Sequence, residues 1–134
     1  MSGQDVPQGF RIDIEVGSLD EAEEFYSTLL DLKGRRAPGA RIYFDCGPLT
    51  LQVVDVTGEG RTLHPLPKAL YFTVNDVDAV HTRASALNAT DDELVHGERG
   101  GDISVRPWGE RSFYLRDPWN NPLCFVQDGT VYPG

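Results

Sequence analysis

The sequence is short of cysteine and histidine, the residue types that most readily announce transition-metal or thiol redox chemistry. It holds 2 cysteines and 3 histidines in 134 residues. Cys46 and Cys124 each sit in an apolar stretch with no C-x-x-C neighbour, which predicts buried free thiols rather than a disulfide framework or a zinc site. His64 falls in a Pro-rich connector, His81 off the apolar stripe of a predicted helix, and His96 before a Gly-rich turn. None has a companion at ligand spacing, and each is expected to face solvent. Hydrophobic runs are short as well. None approaches the roughly twenty apolar residues of a membrane span, and the N-terminus lacks the charged and apolar regions of a secretory signal. A soluble cytoplasmic protein without a membrane partner is expected. Positive charge is scarce: 12 Lys and Arg against 21 Asp and Glu leave a formal charge of −9. Such a chain repels a phosphate backbone and favours cationic partners, so nucleic acid is not expected as a ligand. The same acidity also serves solubility.

What is present is a repeated pattern. Residues 1–9 are polar and broken by Gly3, Pro7 and Gly9, a flexible arm. Phe10, Ile12, Ile14 and Val16 then alternate with Arg11, Asp13 and Glu15, which predicts a half-buried strand with the apolar set turned to a helix and the charged set turned away. Ser18 and Glu21 have capping-box spacing, and apolar residues from Leu19 to Leu30 recur at helical spacing, so a helix to about Leu32 follows. A short edge strand, then a hairpin of Ala40–Cys46 and Leu49–Val56 across Gly47-Pro48, completes a βαβββ unit over residues 10–56. Residues 57–68 carry Gly58, Gly60, Pro65 and Pro67 and read as a linker. The unit then recurs over residues 69–128 at a constant offset of 58: Val16 maps to Val74, the N-cap Ser18 to Asp76, and Leu29 to Leu87. Residues 129–134 form a tail. The fold class expected is α+β, two tandem βαβββ modules in a single domain.

The second unit closes on Val105–Gln127, where two β-favouring runs flank Arg116–Pro122. Asp117 can bond its own backbone two residues on, Pro118 presets φ, and Asn120 or Asn121 can take the left-handed position such a turn needs. Pro107, Trp108, Gly109, Arg111, Phe113, Arg116, Asp117, Pro118 and Asn121 resemble the closing hairpin of the vicinal oxygen chelate superfamily, which includes glyoxalase I, extradiol dioxygenases and bleomycin resistance proteins. The Trp-Gly before the Arg-Asp-Pro turn is most similar to the bleomycin resistance branch. One departure stands out: the usual Asp-Gly-Asn tip is Trp119-Asn120-Asn121 here.

The resemblance implies two modules whose sheets curl into an open cup with helices outside. In metal-dependent members His or Glu occupy four cup-facing positions; matched to this chain they fall on Arg11, Gln52, Ala69 and Cys124. Arg keeps its proton, Ala has no donor atom and neutral Gln is a weak ligand, so neither a metal nor any other cofactor is expected. The charged set Arg11, Asp13 and Glu15 would face the cup together with Gln52, Tyr71, Thr73, Cys124 and Trp108. Aromatic surface beside carboxylates suits a flat or cationic small molecule. Trp108 could instead wedge its hairpin against the core, and Trp119 at the turn tip is expected to be exposed. The first expectation is a binding protein that sequesters an aromatic, cationic compound in clefts of a homodimer, the dimer being implied by the resemblance. The second is a cofactor-free enzyme with Asp13 or Glu15 as general base and Arg11 holding an anionic intermediate. An altered metal site built on Cys124, Asp13 and Gln52 ranks last.

Overall fold

The alternation of the first strand decides which way everything else faces. In the computed structural model, which describes residues 5–134, strand β1 (Arg11–Val16) buries Ile14 and Val16 completely. Phe10 departs from the expected pattern. It precedes the strand, is 61% exposed and lies under the Arg11 guanidinium at 4.9 Å, because the helix that covers Ile14 does not extend to it. Residues 5–9 have no regular structure, and the first four residues of the expected arm lie outside the described residues.

Helix α1 (Leu19–Leu30) starts where the sequence places it. Ser18 Oγ accepts from the Glu21 amide at 3.2 Å, and Asp31 ends the helix in the left-handed conformation, one residue before the expected Leu32. Strands β2 (Arg35–Ala37), β3 (Arg41–Cys46) and β4 (Leu49–Asp55) complete the first sheet in the order β1-β4-β3-β2, with β1 parallel to β4. The connector holds only a short 3-10 turn over Thr57–Glu59. In the second unit, β5 (Leu70–Val74) leads to α2 (Val77–Ala86), capped by Asp76 Oδ1 on the Ala79 amide. Two very short strands follow, β6 (Leu94–Val95) and β7 (Glu98–Arg99), paired only with each other. Then β8 (Ser104–Val105), β9 (Arg111–Arg116) and β10 (Pro122–Gln127) join β5 in the order β5-β10-β9-β8. The two sheets thus repeat one topology, and both modules of the α+β fold are present.

One apolar cluster joins both helices and the inner faces of both sheets. Ile14, Tyr26, Leu29, Phe44 and Leu51 from the first unit pack in it with Val77, Ala84, Phe113, Leu123 and Phe125 from the second. Truncating one of the large leucine, isoleucine or phenylalanine side chains among these to Ala costs on the order of 2–5 kcal/mol, so the helix side of each sheet is committed to the core. The other faces are left for polar groups. Among the described residues no helix is long and apolar enough to cross a membrane.

The units also join at their hairpin tips. The tip between β9 and β10 reaches α1: Tyr26 Oη donates to Asp117 Oδ2 at 2.6 Å, and Asn121 Nδ2 donates to the Glu15 carbonyl at 2.9 Å. Asp117 Oδ1 accepts from the Trp119 and Asn121 amides at 2.9 and 2.8 Å, the expected self-bonding turn, and Asn120 takes the left-handed place at φ 71°. Trp119 is not exposed as expected. It is half-buried against the core cluster, with its indole over Gly17, because Gly17 has no Cβ to hold it away.

Candidate functional site

Pairing register assigns each polar side chain to a neighbour. On the outer face of the first sheet Asp13 and Tyr43 both stand opposite Gln52, while Arg11 stands opposite Thr50. On the second sheet Tyr71 and Tyr114 both stand opposite Cys124. Of the four matched positions, Gln52 thus pairs with Asp13 and Cys124 with Tyr71, while Ala69 lies just before β5.

Asp13, Glu15 and Gln52 meet as expected, in a cavity of about 160 Å3 that also includes Arg41, Val54 and Arg61. Gln52 Nε2 donates to Asp13 Oδ1 at 2.7 Å, and Glu15 Oε1 accepts from the His64 amide at 2.8 Å. Gln52 is only 6% exposed, and its Oε1 and Arg41 Nε have no hydrogen-bond partner among the described residues. Arg11 does not line this cavity. Its guanidinium lies 4.9 Å from the Phe10 ring and 5.9 Å from that of Tyr43, which stands opposite Gln52 in the sheet.

Tyr71, Thr73 and Trp108 meet in a second cavity of about 300 Å3, with Glu110, Val126 and Val131. Trp108 is presented by a tight turn. Arg106 donates its amide to the Glu110 carbonyl at 2.8 Å, the Gly109 amide returns to the Arg106 carbonyl at 2.8 Å, and Gly109 sits at φ 96°, which only glycine adopts freely. The indole is then fixed at both ends: Nε1 donates to Glu110 Oε1 at 2.8 Å, and His96 meets the ring edge-on at 5.1 Å. Glu110 Oε2 accepts from the Tyr132 amide at 2.8 Å, which folds the tail over the site. Beneath it, Arg106 is buried and donates to the carbonyls of Gly100, Asp102 and Ser112.

Cys124 faces the same side but does not reach either cavity. It is 1% exposed, and burial pushes its thiol up to about 12, so it stays protonated and apolar. Tyr114 beside it is also pushed up, by burial and then by its contact with Tyr71. His81 departs from expectation too. It is half-buried, edge-on to Phe113 at 4.9 Å with Nε2 at 2.8 Å from the Gly101 carbonyl, because the inserted 89–101 segment covers its side of α2. His64 and His96 are exposed as expected.

Residues 10–125 match the family model described as Glyoxalase/Bleomycin resistance protein/Dioxygenase superfamily. The chain belongs to this superfamily. Among solved structures it is similar to a lactoylglutathione lyase from Agrobacterium tumefaciens, 23% identical, covering 98% of this chain and 100% of that one with a TM-score of 0.69. It is similar also to a glyoxalase/bleomycin resistance protein from Albidiferax ferrireducens T118, 20% identical over 88% and 97% with a TM-score of 0.71. A glyoxalase/bleomycin resistance protein/dioxygenase from Alicyclobacillus acidocaldarius is 27% identical over 90% of each chain, TM-score 0.63. No curated protein matches the sequence. These likenesses establish the fold and leave the chemistry to the site.

The superfamily includes metal enzymes, so the donor set matters. The register pairs here offer Asp13, already bonded to Gln52, and a protonated Cys124 beside Tyr71. Among the described residues no three His, Cys, Asp or Glu side chains converge. A catalytic zinc takes three such protein ligands and leaves the fourth place to water, and these residues do not offer that set.

Proposed function

We propose that this superfamily member binds a small aromatic molecule bearing positive charge, without a metal, and releases it unaltered. The observation that carries this is the shared cavity of about 300 Å3 in which Trp108, Tyr71 and the Glu110 carboxylate stand together. An indole face and a partly desolvated carboxylate both attract a cation, each contributing on the order of 1–2 kcal/mol. Ligand pockets of this kind are mostly apolar with a few fixed polar groups, and the hydrogen bond from Trp108 to Glu110 fixes both. The two polar sheet faces and the outer edges of β1 and β5 lack a strand neighbour among the described residues, which supports a two-fold dimer that brings Asp13 and Glu15 of one copy toward Trp108 of the other.

Both acidic groups are less suited to the rival role of general base. Asp13 already accepts from Gln52 and Glu15 from the His64 amide, so each carboxylate has an oxygen engaged within the protein rather than held toward a substrate proton. The test is tryptophan fluorescence against a panel of aromatic quaternary ammonium compounds, followed by chromatography of the recovered ligand. Saturable quenching that weakens about tenfold or more in Trp108→Ala, with ligand recovered intact, is expected. Turnover lost in Asp13→Asn, or stoichiometric metal in the purified protein, would replace this reading with an enzyme.

A further inference from the structure

The two modules are copies, yet their junction is not symmetric. At one end the five-residue tip from Asp117 to Asn121 fills the space beside α1 and bonds Tyr26. Under the repeat offset of 58, Tyr26 corresponds to Ala84, and the matching tip between β3 and β4 is only Gly47-Pro48. A large side chain and three tip residues are therefore missing from the image position. A cavity of about 500 Å3 lies beside the short tip, walled on the α2 side by Val80 and Arg83, while Ala84 itself is fully buried.

Its walls are chiefly apolar: Leu30, Leu49, Phe72, Val80 and Phe125 contribute, with the Cys46 thiol at one side. It holds two charged residues. Asp45 is neutralised by Arg35 through two hydrogen bonds of 2.8 and 3.2 Å. Arg83 is not: its Nε donates to the Leu29 carbonyl at 3.1 Å, and no carboxylate pairs with it among the described residues. Arg11 and Arg41 likewise lack an acidic partner among the described residues, but of the three Arg83 is the one that lines this apolar cavity. A planar guanidinium with free Nη donors matches a carboxylate.

We infer that this inter-module cavity is a second ligand site, set across β5 from the Trp108 cavity with Tyr71, Phe72 and Thr73 as their common wall, that takes a small organic carboxylate with an apolar body of about ten carbon atoms. The body occupies the space left by the shorter tip, and the carboxylate meets Arg83. The site does not depend on the function proposed for the Trp108 cavity.

Cys46 provides the readout, since it lines the cavity while Cys124 is buried. The rate of Cys46 alkylation by neutral iodoacetamide is measured against 4-phenylbutanoate and its uncharged primary amide. Saturable protection by the acid at a concentration at least tenfold below that needed for the amide is expected. Arg83→Met should abolish the difference, Arg83→Lys should keep most of it, and Trp108→Ala should change nothing. Equal protection by acid and amide in the wild-type chain would overturn the assignment even if Arg83→Met proved unstable. So would an absence of protection, protection lost in Trp108→Ala, or alkylation that slows with protein concentration alone, which would make a second copy the occupant.

Discussion

Asp117 ties the closing turn of the second module to the helix of the first. Its two oxygens accept from Tyr26 Oη, the Trp119 amide, the Asn121 amide and Asn121 Nδ2. Burial nevertheless raises its pKa from the ordinary aspartate value, because desolvation outweighs those bonds. The sign follows: the folded state binds this proton more readily than the unfolded chain. The stabilisation from Asp117 is therefore fully present below the unfolded pKa near 4 and is lost as pH rises through the higher folded one. Asp117→Asn removes one acceptor from Asn121 and should cost about 1–3 kcal/mol in urea unfolding at neutral pH. Wild-type stability relative to that variant should grow as pH is lowered toward 4. Cysteine reactivity is the second prediction at this scale. In the folded protein a neutral alkylating reagent should modify Cys46 and leave Cys124, and in denaturant it should modify both. Equal native rates would mean that Cys124, pushed up to about 12 by its burial, is not held as described.

At the scale of elements, the junction of Gly17 and Trp119 is the tightest test. A Cβ at position 17 would lie 2.8 Å from Trp119 Nε1, so Gly17→Ala should destabilise by about 1–3 kcal/mol. In a double-mutant cycle with Trp119→Ala its added cost should largely vanish. Full additivity of the two losses would show that they do not touch. The sequence made the helices legible because caps and periodicity are local, as Ser18 and Asp76 show. It made the Asp117 turn legible for the same reason. It did not disclose the inserted pair β6 and β7, whose strands are two residues each. The surrounding segment is held by partners distant in sequence: the Arg116 amide bonds the Ala89 carbonyl, and the Tyr114 amide bonds that of Gly100. Trp119 was misread for a related reason, since a turn tip faces solvent unless another module comes to meet it.

For the whole molecule, the 58-residue offset was the most informative signal, because repetition of a unit fixes an architecture that neither copy establishes alone. It makes Tyr71 and Thr73 the images of Asp13 and Glu15, on the matching face of the second sheet, but does not supply Glu110 or Arg41, whose roles arise from the fold around β8 and β3. If two copies share their open faces, sedimentation should give a mass near twice 14.8 kDa. Capture of a cation by a chain of charge −9 should weaken as salt is added. The unequal tips carry one more consequence, for split proteins. The receptor for the long tip, Gly17 and Tyr26, lies wholly in the first half, and the tip itself, with Asp117 and Trp119, wholly in the second. Two first halves would have receptors and nothing to fill them, and two second halves would have the reverse. Fragments cut within the linker and expressed together should accordingly reassemble as mixed pairs in preference to like ones, a complementation that an exact duplication could not enforce.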